Sequence, residues 1–215
     1  MITPTYMVLR TDACDLQSRF HPDHWADLQK SGLNAETILA AGVCSVPPDL
    51  ISREIGFDMP TLRSALCFPY KETEGFARYK IFPALVDKAG HKVRYLQRKN
   101  SGVHLYFTPH FRARLAHAEK IYIAEGEKKT LRADQEGLCV FGLGGIFAWK
   151  DKSTGGLIRA FDSIAVAERQ VRLIPDGDFR TNPMVWRGVE ALCLELRKRG
   201  AHVKLVDLTI PVGPV

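Results

Sequence analysis

The sequence predicts an α/β protein in which a parallel sheet flanked by helices follows a small α+β region with an antiparallel sheet. Two observations carry this prediction. From about residue 120 onward, short apolar segments alternate with helical patterns, which is typical of right-handed β-α-β crossovers. Between residues 65 and 109, strand-like segments are separated only by short turn signals, which favours hairpins. We therefore divide the chain into an N-terminal region, residues 1–115, and a C-terminal domain, residues 116–215.

The composition is that of an ordinary globular chain. Of its 215 residues, 46% are hydrophobic and 25% are charged, which argues against disorder. No apolar segment approaches the roughly 20 residues that cross a bilayer, and the N-terminus does not resemble a secretory signal. We therefore expect a cytoplasmic protein with no membrane partner. The five cysteines contain no C-x-x-C pair, which argues against a disulfide framework and a structural zinc site.

The first third of the chain predicts short helices. Residues 21–32 and 34–42 each end in a glycine, and Asn34 is a suitable N-cap for the second segment. Residues 49–55 predict another short helix after a pair of prolines. These segments give the N-terminal region its helical part.

Four segments rich in aromatic and branched residues come next, and we expect them to form one antiparallel sheet: residues 65–70, 76–85, 92–98 and 103–109. The third segment alternates, so that Tyr95 faces one way while Arg94 and Arg98 face the other. Together with Lys99, these arginines predict a basic surface for single-stranded nucleic acid, where cations follow the phosphates and aromatic rings stack on bases. Tyr95 and Tyr106 fit either that surface or the core of the sheet.

The C-terminal half begins after a short connecting helix predicted at residues 111–120. Strands are predicted within residues 120–126, 138–145, 169–178 and 201–208, with helices between them. The final helix is the clearest in the chain, because Asn182 can cap its start and Gly200 can end it. Its expected buried stripe consists of Val185, Val189, Leu192 and Leu196.

Acidic residues follow two of these strands directly. Glu125 comes after the first strand, and Asp176 and Asp178 come after the third. Because the carboxyl ends of parallel strands share one edge of the sheet, we expect the carboxylates to converge there. Each signal alone is common, since D-x-D occurs in turns and a glutamate suits a helix N-terminus. Together they predict a site for Mg²⁺ or Mn²⁺, which prefers oxygen ligands.

The segments IYIAEGEKKT, VFGLGG and LIPDGD resemble the toprim domain over about residues 120–208. This domain is shared by bacterial replicative primases, topoisomerases, recombination mediators of the RecR type and OLD-family nucleases. The order of the upstream segments resembles the toprim-containing N-terminal modules of phage and mobile-element replication proteins, which are often joined to a helicase. The resemblance implies that Glu125 is a general acid or base and a metal contact, and that Asp176 and Asp178 bind Mg²⁺.

The resemblance further implies a Mg²⁺-dependent, primase-like nucleotidyltransferase module in phage or mobile-element DNA replication. Its expected partners are DNA or RNA in single-stranded form, nucleoside triphosphates and a replicative helicase domain. Two departures from primases favour a single metal ion: Lys129 stands where they usually carry an acid, and no acidic cluster follows the last strand. They leave open a toprim nuclease, or a non-catalytic module that keeps the scaffold and binds DNA or a partner.

Lys128 and Lys129 follow Glu125 within one helical turn. They are candidates for contacts with the phosphates of a nucleotide or a strand, with ordinary solvated helix charges as the alternative. The net charge of +6 is in keeping with a polyanionic partner, although charge alone is a weak indicator.

Overall fold

The computed structural model describes residues 13–58 and 61–209. Its α-helices are α1 (Ala13–Ser18), α2 (Pro22–Lys30), α3 (Ala35–Ala41), α4 (Ile51–Ile55), α5 (Phe111–Leu115), α6 (Glu127–Gln135) and α7 (Pro183–Lys198). Its strands are β1 (Cys44–Val46), β2 (Ser64–Pro69), β3 (Ala77–Val86), β4 (Lys92–Gln97), β5 (Leu105–Phe107), β6 (Lys120–Glu125), β7 (Val140–Leu143), β8 (Gln170–Ile174) and β9 (His202–Leu205). Short 3-10 helices span Pro48–Leu50, Arg159–Ser163 and Gly177–Arg180.

The N-terminal sheet is antiparallel, in the order β1-β2-β3-β4. This confirms the predicted small antiparallel sheet, with a first strand, β1, that the sequence did not indicate. Helices α2 and α3 pack against one face, where Leu28 and Ile38 lie fully buried beside Phe68. Helix α4 packs against the other face, through Ile55. The predicted cap holds, because the Asn34 side chain accepts a hydrogen bond from the Thr37 N–H at 2.8 Å.

The fourth predicted strand belongs to a different sheet. β5 pairs antiparallel with β7, Leu105 opposite Leu143, so the prediction that it joins the N-terminal sheet is wrong. Leu105 faces the core of the C-terminal sheet, while Tyr106 packs into the N-terminal core. Both are only 2% exposed. Alternation shows that a segment is a strand, but it does not say which sheet a strand buried on both faces will join.

The C-terminal sheet has the order β5-β7-β6-β8-β9, and every pair other than β5–β7 is parallel. This confirms the predicted parallel sheet with flanking helices. α7 covers one face with Val189, Leu192 and Leu196, all fully buried. The helical stretch predicted between the second and third parallel strands is reduced to the 3-10 helix Arg159–Ser163, because the preceding segment forms turns around Gly155 and Gly156.

Ion pairs with little solvent exposure connect the two halves of the molecule. Glu127 on α6 is 1% exposed and accepts hydrogen bonds from the Tyr70 hydroxyl and the Arg78 guanidinium, both at 2.7 Å. Asp27 on α2 forms ion pairs with Lys80 of β3 and with Lys128 of α6. The second pair has a distance of 2.8 Å between Lys128 Nζ and Asp27 Oδ2. The halves therefore share a charged interface, and a domain boundary near residue 115 stays a prediction. Residues 1–12 and 210–215, at the outer ends of the two predicted regions, lie outside the described residues.

Within the described part of the chain, no helix is both long and apolar enough to cross a membrane.

Candidate active site at the carboxyl edge of the parallel sheet

The side chain of Glu125 joins the ends of three parallel strands. β6 ends at Glu125 itself, and its carboxylate reaches the segments that follow β7 and β8. Oε1 accepts a hydrogen bond from the Ile146 N–H at 3.0 Å, and Oε2 accepts one from the Asp176 N–H at 3.1 Å. Glu125 and Asp176, 51 positions apart in the sequence, thus meet at one rim of the sheet.

The surroundings of Glu125 shift the pKa of its side chain. Burial raises the pKa of this carboxyl above its ordinary value, and the negative charge of Asp176 acts in the same direction. The backbone N–H groups of Asp176 and Ile146, together with the Lys129 ammonium, oppose the shift without cancelling it. A carboxyl whose pKa is raised holds its proton more tightly than an exposed carboxyl does, which suits a group that exchanges protons with a substrate.

Lys129 pairs directly with one of the predicted metal ligands. Its Nζ lies 2.6 Å from Asp176 Oδ1 and 3.0 Å from the carbonyl oxygen of Pro175. The lysine at this position therefore supplies a positive charge where a bound cation would otherwise balance Asp176. A phosphate contact by Lys129 requires this pair to open.

Asp178 is the second residue of the 3-10 helix Gly177–Arg180 and is exposed to solvent. Its carbonyl oxygen accepts hydrogen bonds from the N–H groups of Asn182 at 2.8 Å and Thr181 at 3.0 Å. Its carboxylate makes no hydrogen bond or ion pair with the described residues. Between the two aspartates, a Cβ on Gly177 would lie 2.8 Å from Thr209 Cγ2, so the turn packs closely against the segment after β9.

The oxygen ligands available at this rim suit a Mg²⁺ ion that keeps part of its water shell better than an ion enclosed entirely by protein ligands. Among the described residues, no group of three or more His, Cys, Asp and Glu side chains is arranged to hold a metal ion. Asp176 and Asp178 are both exposed on a single turn, which suits an ion that keeps several waters and binds substrate phosphates. The Glu125 oxygens already accept two backbone hydrogen bonds, so direct ligation by Glu125 stays a prediction.

The predicted nucleic-acid residues separate into different places. Arg94, Arg98 and Lys99 are exposed, and Arg98 donates to the Arg53 carbonyl oxygen at 3.2 Å, on the α4 face of the N-terminal sheet. Tyr95 alternates with them and faces the opposite side. The structure therefore does not bring these three basic residues together with Glu125.

Lys128 has a partner from the N-terminal region. Its Nζ pairs with Asp27 Oδ2 at 2.8 Å, and its side chain is 18% exposed. Burial alone would raise the pKa of Asp27, but hydrogen bonds from Lys128 and Lys80 hold it below its usual value. Lys128 thus links α6 to α2, and a phosphate contact by Lys128 stays a prediction.

A cleft of about 390 Å³ opens beside Glu125, lined by Ser31, Tyr95, Glu125, Gly126, Lys128, Lys129, Arg132 and Asp176. Sequence reasoning missed Arg132 in this cleft, and it missed Arg78, whose side chain is 14% exposed and lies 5.1 Å from the Tyr95 ring centroid. The sequence does contain one signal for Arg78. Arg78 and Lys80 occupy the same face of a strand whose other face is apolar, and buried cations on one face imply buried anionic partners.

Solved structures share this arrangement of the chain. A DnaG primase catalytic domain bound to ssDNA matches 91% of this chain and 69% of its own length, with a TM-score of 0.53 and 16% identity. The primase of Aquifex aeolicus, with zinc-binding and RNA polymerase domains, matches 90% of this chain and 51% of its own, with a TM-score of 0.59 and 14% identity. This chain has the fold of a primase catalytic domain. At such identities the likeness establishes the fold alone.

A third structure with the primase catalytic fold, a DnaG catalytic core, gives a TM-score of 0.53 at 18% identity and covers 89% of this chain and 66% of its own. A family model described as a domain of unknown function, DUF3854, matches residues 114–213. No curated protein matches the chain.

Proposed function

We propose that this protein is a Mg²⁺-dependent, primase-like nucleotidyltransferase module that acts on single-stranded nucleic acid. The observation that carries the proposal is the hydrogen bond between the Glu125 carboxylate and the Asp176 N–H, which joins the ends of β6 and β8. It lies within a fold shared with a primase catalytic domain that was solved bound to ssDNA. The proposal also includes a biological setting, phage or mobile-element DNA replication. It further includes a replicative helicase domain as the partner of this module.

Asp176 and Asp178 would hold Mg²⁺ or Mn²⁺ on the exposed turn after β8. When bound, the ion would neutralise negative charge on the phosphates of a nucleoside triphosphate. The attacking hydroxyl oxygen would form a bond to the α-phosphorus of the nucleoside triphosphate while the bond to the β-phosphate breaks and pyrophosphate leaves, and the Glu125 carboxylate would take the proton of that hydroxyl group. Lys129 lies beside the same turn. Once its ion pair with Asp176 opens, its ammonium group would contact the phosphates of the nucleotide.

Template-directed primer synthesis with labelled nucleoside triphosphates tests this proposal. Asp176→Ala and Asp178→Ala should each abolish the labelled product, because each removes an oxygen donor for the ion. Asp162→Ala is the matched control, since this exposed aspartate pairs with Arg199 away from the site. Undiminished synthesis in both turn variants would refute the proposal.

A nuclease could use the same carboxylates to direct water, instead of a hydroxyl group, at a phosphodiester. Incubating supercoiled and single-stranded DNA with Mg²⁺ or Mn²⁺ distinguishes the two activities, because only the nuclease shortens the DNA without added triphosphates.

A non-catalytic module that binds DNA or a partner is favoured by one observation, the Lys129–Asp176 pair. This pair satisfies the charge of Asp176 without an ion. Tight DNA binding that does not respond to Mg²⁺ or to loss of the two aspartates would support this alternative.

A further inference from the structure

A second cleft lies immediately after the Asp176–Gly177–Asp178 turn, in the segment that joins β8 to α7. Its volume is about 560 Å³, and it shares no lining residue with the cleft beside Glu125. The lining residues are Phe179, Arg180, Thr181, Asn182, Pro183 and Trp186. The catalytic proposal above assigns no role to any of these six residues.

Two stacked aromatic rings form its apolar part. The Phe179 and Trp186 ring centroids are 6.2 Å apart, with an interplanar angle of 24°. Phe179 is 7% exposed, so it is anchored in the core, whereas Trp186 is 43% exposed. A rigidly supported indole that faces water offers a flat apolar surface, and such surfaces stack favourably on nucleobases.

Polar groups surround these rings. The Arg180 guanidinium lies 5.9 Å from the Phe179 ring centroid and pairs with Asp207, which fixes its position. Asn182 Oδ1 accepts from the Met184 N–H at 3.1 Å, so the amide nitrogen of Asn182 points away from the helix and donates to none of the described residues. The Thr181 hydroxyl also lines the cleft. A planar apolar surface with hydrogen-bond donors at its edge matches the chemistry of a nucleobase.

We propose that this second cleft binds the base of a nucleoside triphosphate whose phosphates lie at the Asp176–Gly177–Asp178 turn. The position of the phosphates rests on the proposed function, whereas the base contact rests on Trp186 and its neighbours. A volume of 560 Å³ is in the range of sites for one small ligand. The turn adjoins the cleft along the chain, because Phe179, which lines the cleft, follows Asp178 directly.

The two parts of the ligand respond differently to metal. The triphosphate needs a cation to approach two carboxylates, but the base stacks on Trp186 without one. We therefore expect Mg²⁺ to tighten the binding of ATP and to leave the binding of adenosine unchanged. This difference allows the second cleft to be tested separately from the catalytic proposal.

Isothermal titration of the full chain with ATP and with adenosine, with and without Mg²⁺, provides the test. Trp186→Ala should weaken both ligands about five-fold or more, the size expected for one base–aromatic stack. Trp186→Phe should stay within about two-fold of the unaltered chain, because it keeps an aromatic face. Leu194→Ala, exposed further along α7, is the control.

Each outcome bears on the proposal. Equal affinities for the unaltered chain and Trp186→Ala would overturn it, and so would a failure of ATP and adenosine to bind. If Trp186→Ala weakened only an oligothymidylate, the cleft would belong to a nucleic-acid strand instead, and the mononucleotide assignment would be wrong. Base binding that depends on Trp186 in a chain without primer synthesis would keep this inference and remove the proposed function.

Discussion

Lys129 Nζ lies 2.6 Å from Asp176 Oδ1, so a lysine neutralises the carboxylate that we propose as a metal ligand. The pair is partly exposed, with 27% of the Lys129 side chain and 57% of the Asp176 side chain accessible. Such a pair contributes little to stability, roughly 0.2–1 kcal/mol. A divalent ion with bound phosphates can therefore displace the lysine at modest cost.

Replacing Lys129 with glutamine should tighten metal binding, because the ion then no longer competes with an ammonium group. We expect the Mn²⁺ dissociation constant to fall roughly two- to five-fold, the equivalent of losing one exposed ion pair. Titration of Mn²⁺ followed by electron paramagnetic resonance measures this directly. Lys152→Gln removes an equal charge at another exposed lysine and should change nothing. Weaker Mn²⁺ binding in Lys129→Gln would show that the lysine supports the ion instead of competing with it.

Removing Arg78, the ion-pair partner of the buried Glu127, should destabilise the whole molecule. Arg78→Met leaves Glu127, 1% exposed, as a buried charge with only the Tyr70 hydroxyl to answer it. The expected loss of unfolding free energy is about 3–5 kcal/mol. Urea denaturation followed by circular dichroism measures it.

Two further variants decide the cause of that loss. Glu127→Gln in the Arg78→Met background should recover part of the stability, because it removes the uncompensated charge. Arg199→Ala breaks an exposed pair with Asp162 and should cost less than about 1 kcal/mol. Equal losses from Arg199→Ala and Arg78→Met would contradict the burial argument.

How much the sequence predicts depends on whether the signal is local. The caps at Asn34 and Asn182, the strand before Glu125 and the turn at Asp176 are all set by neighbouring residues, and each is found where its pattern places it. The rule that parallel strands end at one edge extends these local signals to the meeting of Glu125 with Asp176.

The rest depends on contacts between distant segments. β5 looks like its three predecessors in sequence, yet it joins the other sheet because both of its faces need cover. The partners of Lys128 and Lys129 are also distant in the sequence. Asp27 is 101 positions from Lys128, and Asp176 is 47 positions from Lys129. Charge patterns identify basic residues but cannot tell a free cation from a paired one.

Stability should fall as the solution is acidified, through His24. The imidazole is buried between the Ser45 and Ser64 hydroxyls, at 2.7 and 3.0 Å, and burial lowers its pKa from 6.5 to about 4. Between these values the unfolded chain binds a proton that the folded chain does not, so stability present above pH 6.5 is lost as the pH falls towards 4.

The contribution of His24 between pH 7 and pH 4.5 should be roughly 2 kcal/mol. Urea denaturation at both pH values, for the unaltered chain and for His24→Gln, separates the contribution of His24 to the free energy of unfolding from that of the carboxylates. His24→Gln should be less stable at pH 7 and less sensitive to acid. An unchanged pH dependence in this variant would show that another group controls the acid response.

Cys44 should be the most reactive of the four cysteines whose side chains are described. It lies directly opposite Cys67 in the β1–β2 register, and the Cys67 thiol, donating a hydrogen bond, lowers the pKa of Cys44 to about 7. Cys139 and Cys193 are buried, and burial raises the pKa of each thiol. Iodoacetamide at neutral pH, followed by peptide mass mapping, should label Cys44 first.

Cys67→Ala provides the control for that reactivity. Without the donor thiol, alkylation of Cys44 at pH 7 should slow several-fold while its exposure is retained. Faster labelling of Cys193 than of Cys44 in the folded chain would contradict the assigned burial.

The measurement that tests the central claim most directly is anomalous diffraction from a crystal of the protein soaked with Mn²⁺ and a nucleoside triphosphate. We predict a Mn²⁺ peak bound by the carboxylates of Asp176 and Asp178, next to Glu125, with Lys129 moved from Asp176 towards the phosphates. A nucleotide bound with its metal away from this turn, or Lys129 still paired with Asp176 beside a bound triphosphate, would contradict the account.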